Sequence, residues 1–316
     1  MADRRRLLIV GGMGYLGSRL AAGLTEYSDV TVTARTLGPI RERWLSSHRE
    51  RIHAVLFDST QQSDLPVDGE FEMVLNVALP SAAAAARNPE GSQNAAIATT
   101  RACLNLAKDG RAGTLVHFST FHVYGSTPRP CFDESNAPDP RHPYSRNHLV
   151  CEQLIGAEWA SISARILRAT NIVGAPGHAD LGEQSTLLFF TLCRQAAQSG
   201  RLSLHNDGLS YRDFLPFSDA LAALRIVVAA GNSCRAAPLN LARGEATRLD
   251  VMAREIQEVA SGILGRDIPL DYGRGKDAWR APFRISNDRL KALGWTGNSP
   301  LRPEIEAAVQ FFAANS

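Results

Sequence analysis

Two side chains capable of proton transfer lie four residues apart in the segment HPYSRNHLV, which spans residues 142–150. They are Tyr144, which directly follows Pro143, and His148. Residues i and i+4 of a helix share one face, so a helix that begins here would place the imidazole beside the phenol. The ordinary pKa is about 10 for tyrosine and about 6.5 for histidine, so at neutral pH the phenol is a proton donor and the imidazole is largely uncharged.

A glycine-rich turn follows the first apolar run of the chain, LLIV at residues 7–10. Gly11 would permit a tight turn, Gly14 a close approach of the backbone to a pyrophosphate, and Gly17 close packing of the next helix on the strand. The N-terminus of that helix offers unpaired N–H groups and a positive dipole end to phosphate. The turn therefore predicts a dinucleotide site.

The residues at the end of the second apolar run indicate which dinucleotide would bind. An acidic residue at its end would bind the ribose hydroxyls of NAD(H) and repel a 2′-phosphate. The run VTVTART instead ends with Ala34 and Arg35, and a guanidinium suits a phosphate. NADP(H) is therefore favoured over NAD(H), with the alternative that Arg35 only covers the surface.

Short apolar runs alternate with helical patterns over the first half of the chain. The predicted strands lack polar alternation, as in a parallel sheet covered on both faces; they lie at 7–10, 30–34, 52–57, 73–78, 114–119 and 164–169. We therefore predict an α/β fold, a Rossmann-like doubly wound parallel sheet with a smaller C-terminal substrate-binding lobe. The expected division is 1–170 for the dinucleotide-binding domain and mainly 171–316 for the lobe, with segments around 213–245 returning to the sheet.

Composition is that of an ordinary globular protein, with 316 residues, 44% hydrophobic, 21% charged and a net charge of +2. This balance gives no electrostatic case for nucleic-acid or membrane partners. The five cysteines are scattered and form no C-x-x-C pair, so we expect reduced thiols, no metal site and a cytoplasmic protein. No stretch approaches the roughly 18 apolar residues of a membrane span.

With these parts in view the chain resembles the extended short-chain dehydrogenase/reductases, specifically the NAD(P)-dependent sugar-nucleotide epimerase/dehydratase family, which includes UDP-glucose 4-epimerase. The matching segments, in chain order, are GGMGYLGSRL, LFDSTQQSDL, VLNVALP, FSTFHVYG, PYSRNHLVCE, LRATNIVGAPG and HNDGLSYRDFLPFSD. The resemblance implies that the cofactor contacts Tyr15, Leu16, Asp58, Ser59, Ala78 and Leu79, besides the glycines, Arg35, Tyr144 and His148.

The same resemblance implies a nucleotide-sugar substrate and assigns its contacts. The family's catalytic hydroxyl falls on Thr120, with Ser119 as the neighbouring alternative, and Tyr144 is the catalytic tyrosine. Asn171 would contact the substrate and Arg212 its diphosphate, with Arg280 as a second candidate. The alternative for Arg212 is a salt bridge with Asp213 or Asp219.

His148 occupies the position where the family has a lysine. A neutral imidazole can hold the nicotinamide ribose but gives little help in forming the tyrosinate that alcohol oxidation needs, whereas a neutral tyrosine is already the acid that ketone reduction needs. We therefore expect an NADPH-dependent 4-ketoreductase. The alternatives are a 4-epimerase with tightly bound cofactor and a catalytically silent cofactor-binding protein. The family also implies a homodimer formed by the helices near 92–107 and 145–159.

Overall fold

The computed structural model describes residues 4–230, 237–276 and 279–315. Fourteen strands are found in these ranges: β1 (Arg5–Val10), β2 (Ser28–Ala34), β3 (Ile52–Leu56), β4 (Phe71–Asn76), β5 (Ala112–Thr120), β6 (Cys131–Phe132), β7 (Ala164–Ala169), β8 (Asn171–Val173), β9 (Leu202–Asn206), β10 (Tyr211–Pro216), β11 (Leu239–Leu241), β12 (Ala246–Arg248), β13 (Leu270–Gly275) and β14 (Arg284–Ile285). Ten α-helices accompany them: α1 (Tyr15–Leu24), α2 (Pro39–His48), α3 (Ala82–Arg87), α4 (Pro89–Lys108), α5 (Pro143–Gly156), α6 (Leu188–Arg194), α7 (Phe217–Ala229), α8 (Leu249–Leu264), α9 (Asp288–Ala292) and α10 (Arg302–Ala314).

Seven of the strands form one sheet in the order β3-β2-β1-β4-β5-β7-β11, and every neighbouring pair is parallel. The strand order reverses between β1 and β4. In such sheets ligands bind in the crevice outside the carboxyl ends of the strands at this reversal. The predicted fold class, a Rossmann-like doubly wound sheet, is confirmed.

Helices cover the sheet on both faces because successive strand residues point in opposite directions. Leu7 and Ile9 of β1 pack with α1, α2 and α7, whereas Leu8 and Val10 pack on the other face with α4 and α5. The four apolar side chains of β1, from Leu7 to Val10, are all buried, which explains the unbroken apolar run there. The two layers hold the strand ends, and hence the loops that follow them, in fixed positions.

A second hydrophobic cluster forms the smaller lobe. It is built from α6, α8 and α10, together with β9 and parts of β8 and β10. Between α6 and α8 the chain returns to the seven-stranded sheet, because α7 packs on that sheet and β11 pairs with β7. A three-stranded sheet, β12-β10-β8, lies in the second half of the chain.

Candidate active site

The loop after β1 forms a tight turn at Gly11, whose φ is +85°. The Gly11 carbonyl oxygen accepts a hydrogen bond from the Gly14 N–H at 3.0 Å. A Cβ atom on Gly17 would collide with the same oxygen, so only glycine lets α1 approach the turn this closely. Gly14 caps α1 without a side-chain hydrogen bond. The N–H groups of Leu16 and Gly17, in the first turn of α1, have no hydrogen-bond partner among the described residues and remain available for an anion at the sheet edge.

Tyr15 and Leu16 follow the turn, and their side chains pack into the protein. The Tyr15 ring lies 4.5 Å from the ring of Phe190 in an edge-to-face contact, and its hydroxyl donates to the carbonyls of Ile172 and Gly174 at 3.4 and 3.5 Å. Leu16 packs between the sheet core and the second lobe. Each residue could therefore contact a phosphate only through its backbone.

Arg35 and Asp58 lie at the ends of β2 and β3. Arg35 directly follows β2, is exposed and has no hydrogen-bond or ion-pair partner among the described residues. The Asp58 carboxylate accepts hydrogen bonds from the N–H and hydroxyl of Thr60, at 2.9 and 2.7 Å. These bonds, and to a smaller extent the charge of Arg35, lower the pKa of Asp58. Ser59 is tied to α4, because its hydroxyl donates to the Ala95 carbonyl at 3.3 Å.

The segment after β4 lies against the glycine turn. A side chain on Gly11 would come within 2.7 Å of the Ala78 Cβ. The Ala78 N–H donates to the Asn76 side chain at 3.2 Å, which fixes the backbone where the strand ends. Leu79 follows and is half-buried. The segments that follow β1 and β4 therefore lie in close contact at the strand-order reversal.

Thr120 is the last residue of β5, and its side chain lies beside Tyr144 in space. Its hydroxyl accepts a hydrogen bond from the His122 N–H at 3.3 Å and interacts with the Tyr144 hydroxyl. His142 caps α5, since its Nδ1 accepts from the Tyr144 N–H at 3.1 Å. This cap and Pro143 at the first helical position start the helix one residue before the tyrosine. The phenol is thus presented at the carboxyl end of β5.

Ser119, the neighbouring hydroxyl, points elsewhere. It donates to Glu152 Oε1 at 2.5 Å, and the Glu152 carboxylate also forms a buried two-point ion pair with Arg168, whose Nη2 lies 2.7 Å from Oε2. Adjacent strand residues face opposite sides of a sheet. The substrate-binding role considered for Ser119 therefore does not fit the structure, because its hydroxyl belongs to a buried network and is not beside Tyr144.

Tyr144 and His148 make direct ring contact, with centroids 4.6 Å apart and planes at 70°. Burial raises the pKa of the Tyr144 phenol, and the interaction with Thr120 opposes this by a smaller amount. His148 is 4% exposed, and neither ring nitrogen has a hydrogen-bond partner among the described residues. Burial, and then the nearby rings of His117 and His122, lower the pKa of His148 well below its usual value. The pair is therefore an uncharged acid beside an uncharged imidazole.

The expected substrate contacts lie on β8, β10 and a later loop. Asn171 uses its amide Nδ2 to donate to the Asp213 carbonyl at 2.8 Å. The Arg212 guanidinium donates to the Tyr211 carbonyl at 2.8 Å. Desolvation and then the charge of Arg212 lower the pKa of His122, so this guanidinium lies within electrostatic reach of a ring beside Tyr144.

Arg280 is held by an acidic partner. Its Nη1 lies 3.0 Å from both carboxylate oxygens of Asp207, in a partly exposed ion pair. An exposed pair of this kind contributes little and can open, typically at a cost below about 1 kcal/mol. Binding of Arg280 to a phosphate would therefore require exchange of this partner.

Residues 174–187, here called the cover loop, connect β8 to α6 and contact two segments at the carboxyl ends of the sheet strands. His178 contacts the carbonyl oxygen of Met13 in the glycine turn at 3.1 Å. Glu183 binds the Ser81 hydroxyl and the Arg87 guanidinium, beyond the end of β4. The sequence gives no signal for these long-range partners. The cover loop thus contacts the segments that follow both β1 and β4.

A second buried histidine, His117 on β5, escaped the sequence analysis because it lies inside an apolar run. It is fully buried, and its ring centroid lies 6.3 Å from that of His148.

The described residues contain no group of histidine, cysteine or acidic side chains able to hold a metal ion. Cys103, Cys131, Cys151 and Cys193 are free, and Cys234 lies outside the described residues. None of the described helices is long and apolar enough to cross a membrane.

Comparison with known proteins gives consistent matches. The family model "NAD dependent epimerase/dehydratase family" matches residues 7–241. A UDP-glucose 4-epimerase of Corynebacterium glutamicum is 24% identical over 98% of this chain and 96% of its own. The solved structure of a UDP-N-acetylglucosamine 4-epimerase from Methanobrevibacter ruminantium, 17% identical, has a TM-score of 0.83 over 99% of this chain and all of its own. RMD from Pseudomonas aeruginosa, solved with NADPH, is 21% identical with a TM-score of 0.75, over 99% of this chain and all of its own.

Proposed function

The chain belongs to the NAD-dependent epimerase/dehydratase family, and from this premise we propose that it is an NADPH-dependent 4-ketoreductase of a nucleotide-diphosphate sugar. The observation that carries the proposal is the pairing of Tyr144 with the buried, uncharged His148. A tyrosine whose pKa is raised by burial remains protonated at neutral pH. It is therefore poised to give a proton to a ketone that accepts a hydride.

The crevice fits a dinucleotide. The uncapped start of α1 and the glycine turn suit the pyrophosphate, and an exposed Arg35 suits the adenosine 2′-phosphate. The partnerless ring nitrogens of His148 suit a ribose hydroxyl, because buried polar atoms are nearly always hydrogen-bonded. A bound NADPH would supply the hydride. Dissociation constants for NADPH and NADH test the preference, and tighter binding of NADH would contradict it.

A sugar nucleotide as the substrate is supported by the similarity to UDP-sugar epimerases and by the position of Arg212. The guanidinium can pair with diphosphate oxygens. Its charge acts on His122, whose ring lies beside that of Tyr144, so a diphosphate bound by Arg212 would let the sugar extend toward Tyr144. Asn171 retains its amide oxygen for a substrate hydroxyl, since its Nδ2 group is used by β10. Arg280 is a second diphosphate ligand if Asp207 releases it.

The proposed roles follow from these contacts. Tyr144 donates its phenolic proton to the carbonyl oxygen as the hydride reaches the carbonyl carbon, and Thr120 holds the same oxygen through its hydroxyl. His148 orients the cofactor ribose and the phenol without adding charge. Each hydrogen bond to the developing alkoxide lowers the barrier because the donors are already in place.

A 4-epimerase with tightly bound cofactor is the second candidate. The match to a UDP-glucose 4-epimerase favours it, as does the cover loop, which would retain a bound cofactor. The two candidates differ in whether cofactor is consumed. Interconversion of UDP-glucose and UDP-galactose by the purified protein, without added cofactor, would establish the epimerase.

We also propose a homodimer through α4 and α5. Ile97 and Ala98 on α4, with Leu149 and Val150 on α5, are only half-buried and lie on the helix faces turned away from the sheet. A second copy would cover these apolar side chains. The Ile97→Glu substitution is expected to give a monomer by sedimentation velocity, and a monomeric unsubstituted protein would contradict the proposal.

The proposed function is tested by oxidation of NADPH with a nucleotide-diphosphate 4-keto sugar. Tyr144→Phe removes only the phenolic oxygen and is expected to lower kcat by about 10²- to 10⁴-fold, the range for loss of a general acid. Tyr27→Phe is the matched control, because Tyr27 is 53% exposed and lies between α1 and β2. Equal rates for both variants would contradict the role of Tyr144.

A further inference from the structure

His117 stands behind His148 in a layer of buried polar side chains. It is the register partner of Asn76 on the adjacent strand, so both side chains lie on the face covered by α4 and α5. His117 is 0% exposed and His148 is 4% exposed. All four ring nitrogens lack hydrogen-bond partners within the described ranges. Two neighbouring buried imidazoles in this state are exceptional, because buried polar atoms are nearly always paired.

The spacing of the rings indicates how they are joined. Their centroids are 6.3 Å apart and their planes are inclined by 53°. A direct nitrogen-to-nitrogen hydrogen bond of about 2.9 Å would bring the centroids to roughly 5 Å. The observed separation is too long for that bond and suits one bridging water, which in buried sites makes about three hydrogen bonds.

Both imidazoles are neutral in this layer. Burial lowers the pKa of His117 to about 3, and burial followed by the neighbouring histidines lowers that of His148. The groups around them add no compensating charge: Asn76 bonds to Thr100 at 3.4 Å, and the carboxylate of Glu152 is held by Arg168. His117 therefore neither gives nor takes a proton at neutral pH, and its side chain is fully buried.

A neutral imidazole has one donor nitrogen and one acceptor nitrogen, and the hydrogen bond made by one nitrogen decides the role of the other. We propose that His117 is a positioning residue, joined to His148 through one ordered water, which fixes the tautomer that His148 presents to the dinucleotide. This rests on the proposed function for the cofactor-facing role of His148. His117 touches neither cofactor nor substrate in this arrangement.

The test is the tautomeric state of His148 in protein labelled with ¹⁵N-histidine, read from long-range proton–nitrogen spectra with His148→Phe to assign the signals. In the unsubstituted protein we expect one neutral tautomer for each of His117 and His148. His117→Phe should leave His148 in a mixture of tautomers and weaken dinucleotide binding about fivefold, the net value of one hydrogen bond. His117→Gln, which can still donate and accept, should restore the single tautomer.

His53→Phe is the matched control, since His53 is exposed on β3, and it should change neither readout. A single unchanged His148 tautomer in folded His117→Phe would overturn the proposal. A mixture of tautomers at His117 or His148 in the unsubstituted protein would also overturn it, and this measurement does not depend on the folding of any variant. Neither readout requires turnover, so a failure of ketone reduction would count against the proposed function and leave this test intact.

Discussion

Replacing His148 by lysine is the most informative perturbation of the site. The substitution places an ammonium group beside Tyr144, at about the spacing of the two rings, which is 4.6 Å. With an effective dielectric constant of about 20, two unit charges about 5 Å apart interact by roughly 3 kcal/mol. This attraction stabilises the tyrosinate and lowers the pKa of Tyr144 by about 2 units, at 1.36 kcal/mol per unit.

The assay is the pH dependence of kcat for ketone reduction and for alcohol oxidation. In the unsubstituted protein the reductive kcat should stay level through the neutral range, because burial keeps Tyr144 protonated. In His148→Lys the reductive kcat should begin to fall, and the oxidative kcat should reach its plateau, at a pH about 2 units lower than in the unsubstituted protein. The equilibrium constant fixes the ratio of kcat/KM in the two directions, so the pH at which each profile bends is the informative quantity.

His53→Lys provides the control, because it makes the same change of charge at an exposed position on β3. It should leave both profiles unchanged, and thermal unfolding should show that His148→Lys remains folded despite burying an ammonium group. The reasoning is refuted if the unsubstituted protein already shows a tyrosine inflection near neutral pH. It is equally refuted if a folded, cofactor-binding His148→Lys enzyme keeps the unsubstituted profile.

Three further predictions address the cofactor, the hydroxyl pair and stability. Arg35→Ser should weaken NADPH binding about tenfold, equivalent to about 1.4 kcal/mol, and change NADH binding by less than twofold. Arg43→Ser is the control, because Arg43 is also exposed. Equal weakening for both dinucleotides would argue against a 2′-phosphate contact. Thr120→Val should lower kcat about tenfold with little change in KM, because its hydroxyl acts on the developing alkoxide; a change confined to KM would place it elsewhere. The pKa of His117 is lowered to about 3 on folding, so stability is lost as falling pH protonates the histidine of the unfolded chain. From well above pH 6.5 down to pH 5 the loss is about 2 kcal/mol, and the unfolding free energy of His117→Phe should lack this component.

Local patterns were sufficient to predict the sheet and the glycine turn. Strands buried on both faces must be apolar throughout, and β1 shows this directly from Leu7 to Val10. The requirement for glycine at Gly11 and Gly17 is likewise local, since it arises from one φ angle and one close approach. Tyr144 and His148 could be paired because i and i+4 positions of a helix coincide on one face.

Other features depended on contacts between distant segments. The choice between Ser119 and Thr120 required knowing that Glu152 and Arg168 lie under one face of β5. In the sequence, His117 cannot be distinguished from any other polar residue within a strand. Its proximity to His148 becomes apparent only when α5 packs over β5. Glu183 acquires its partners only when the cover loop crosses to the end of β4. Sequence spacing contains no information on such pairs, because hundreds of positions compete for each contact.

The central claim is that this site reduces a 4-keto sugar nucleotide at the expense of NADPH. The most direct measurement uses NADPH deuterated at the transferred hydrogen, with the purified protein and a nucleotide-diphosphate 4-keto sugar, and mass analysis of the product. We predict one deuterium at C4 of the product sugar for each NADPH oxidised, and loss of this transfer in Tyr144→Phe. Unlabelled product or unconsumed NADPH, together with interconversion of UDP-glucose and UDP-galactose without added cofactor, would contradict the claim and identify a 4-epimerase.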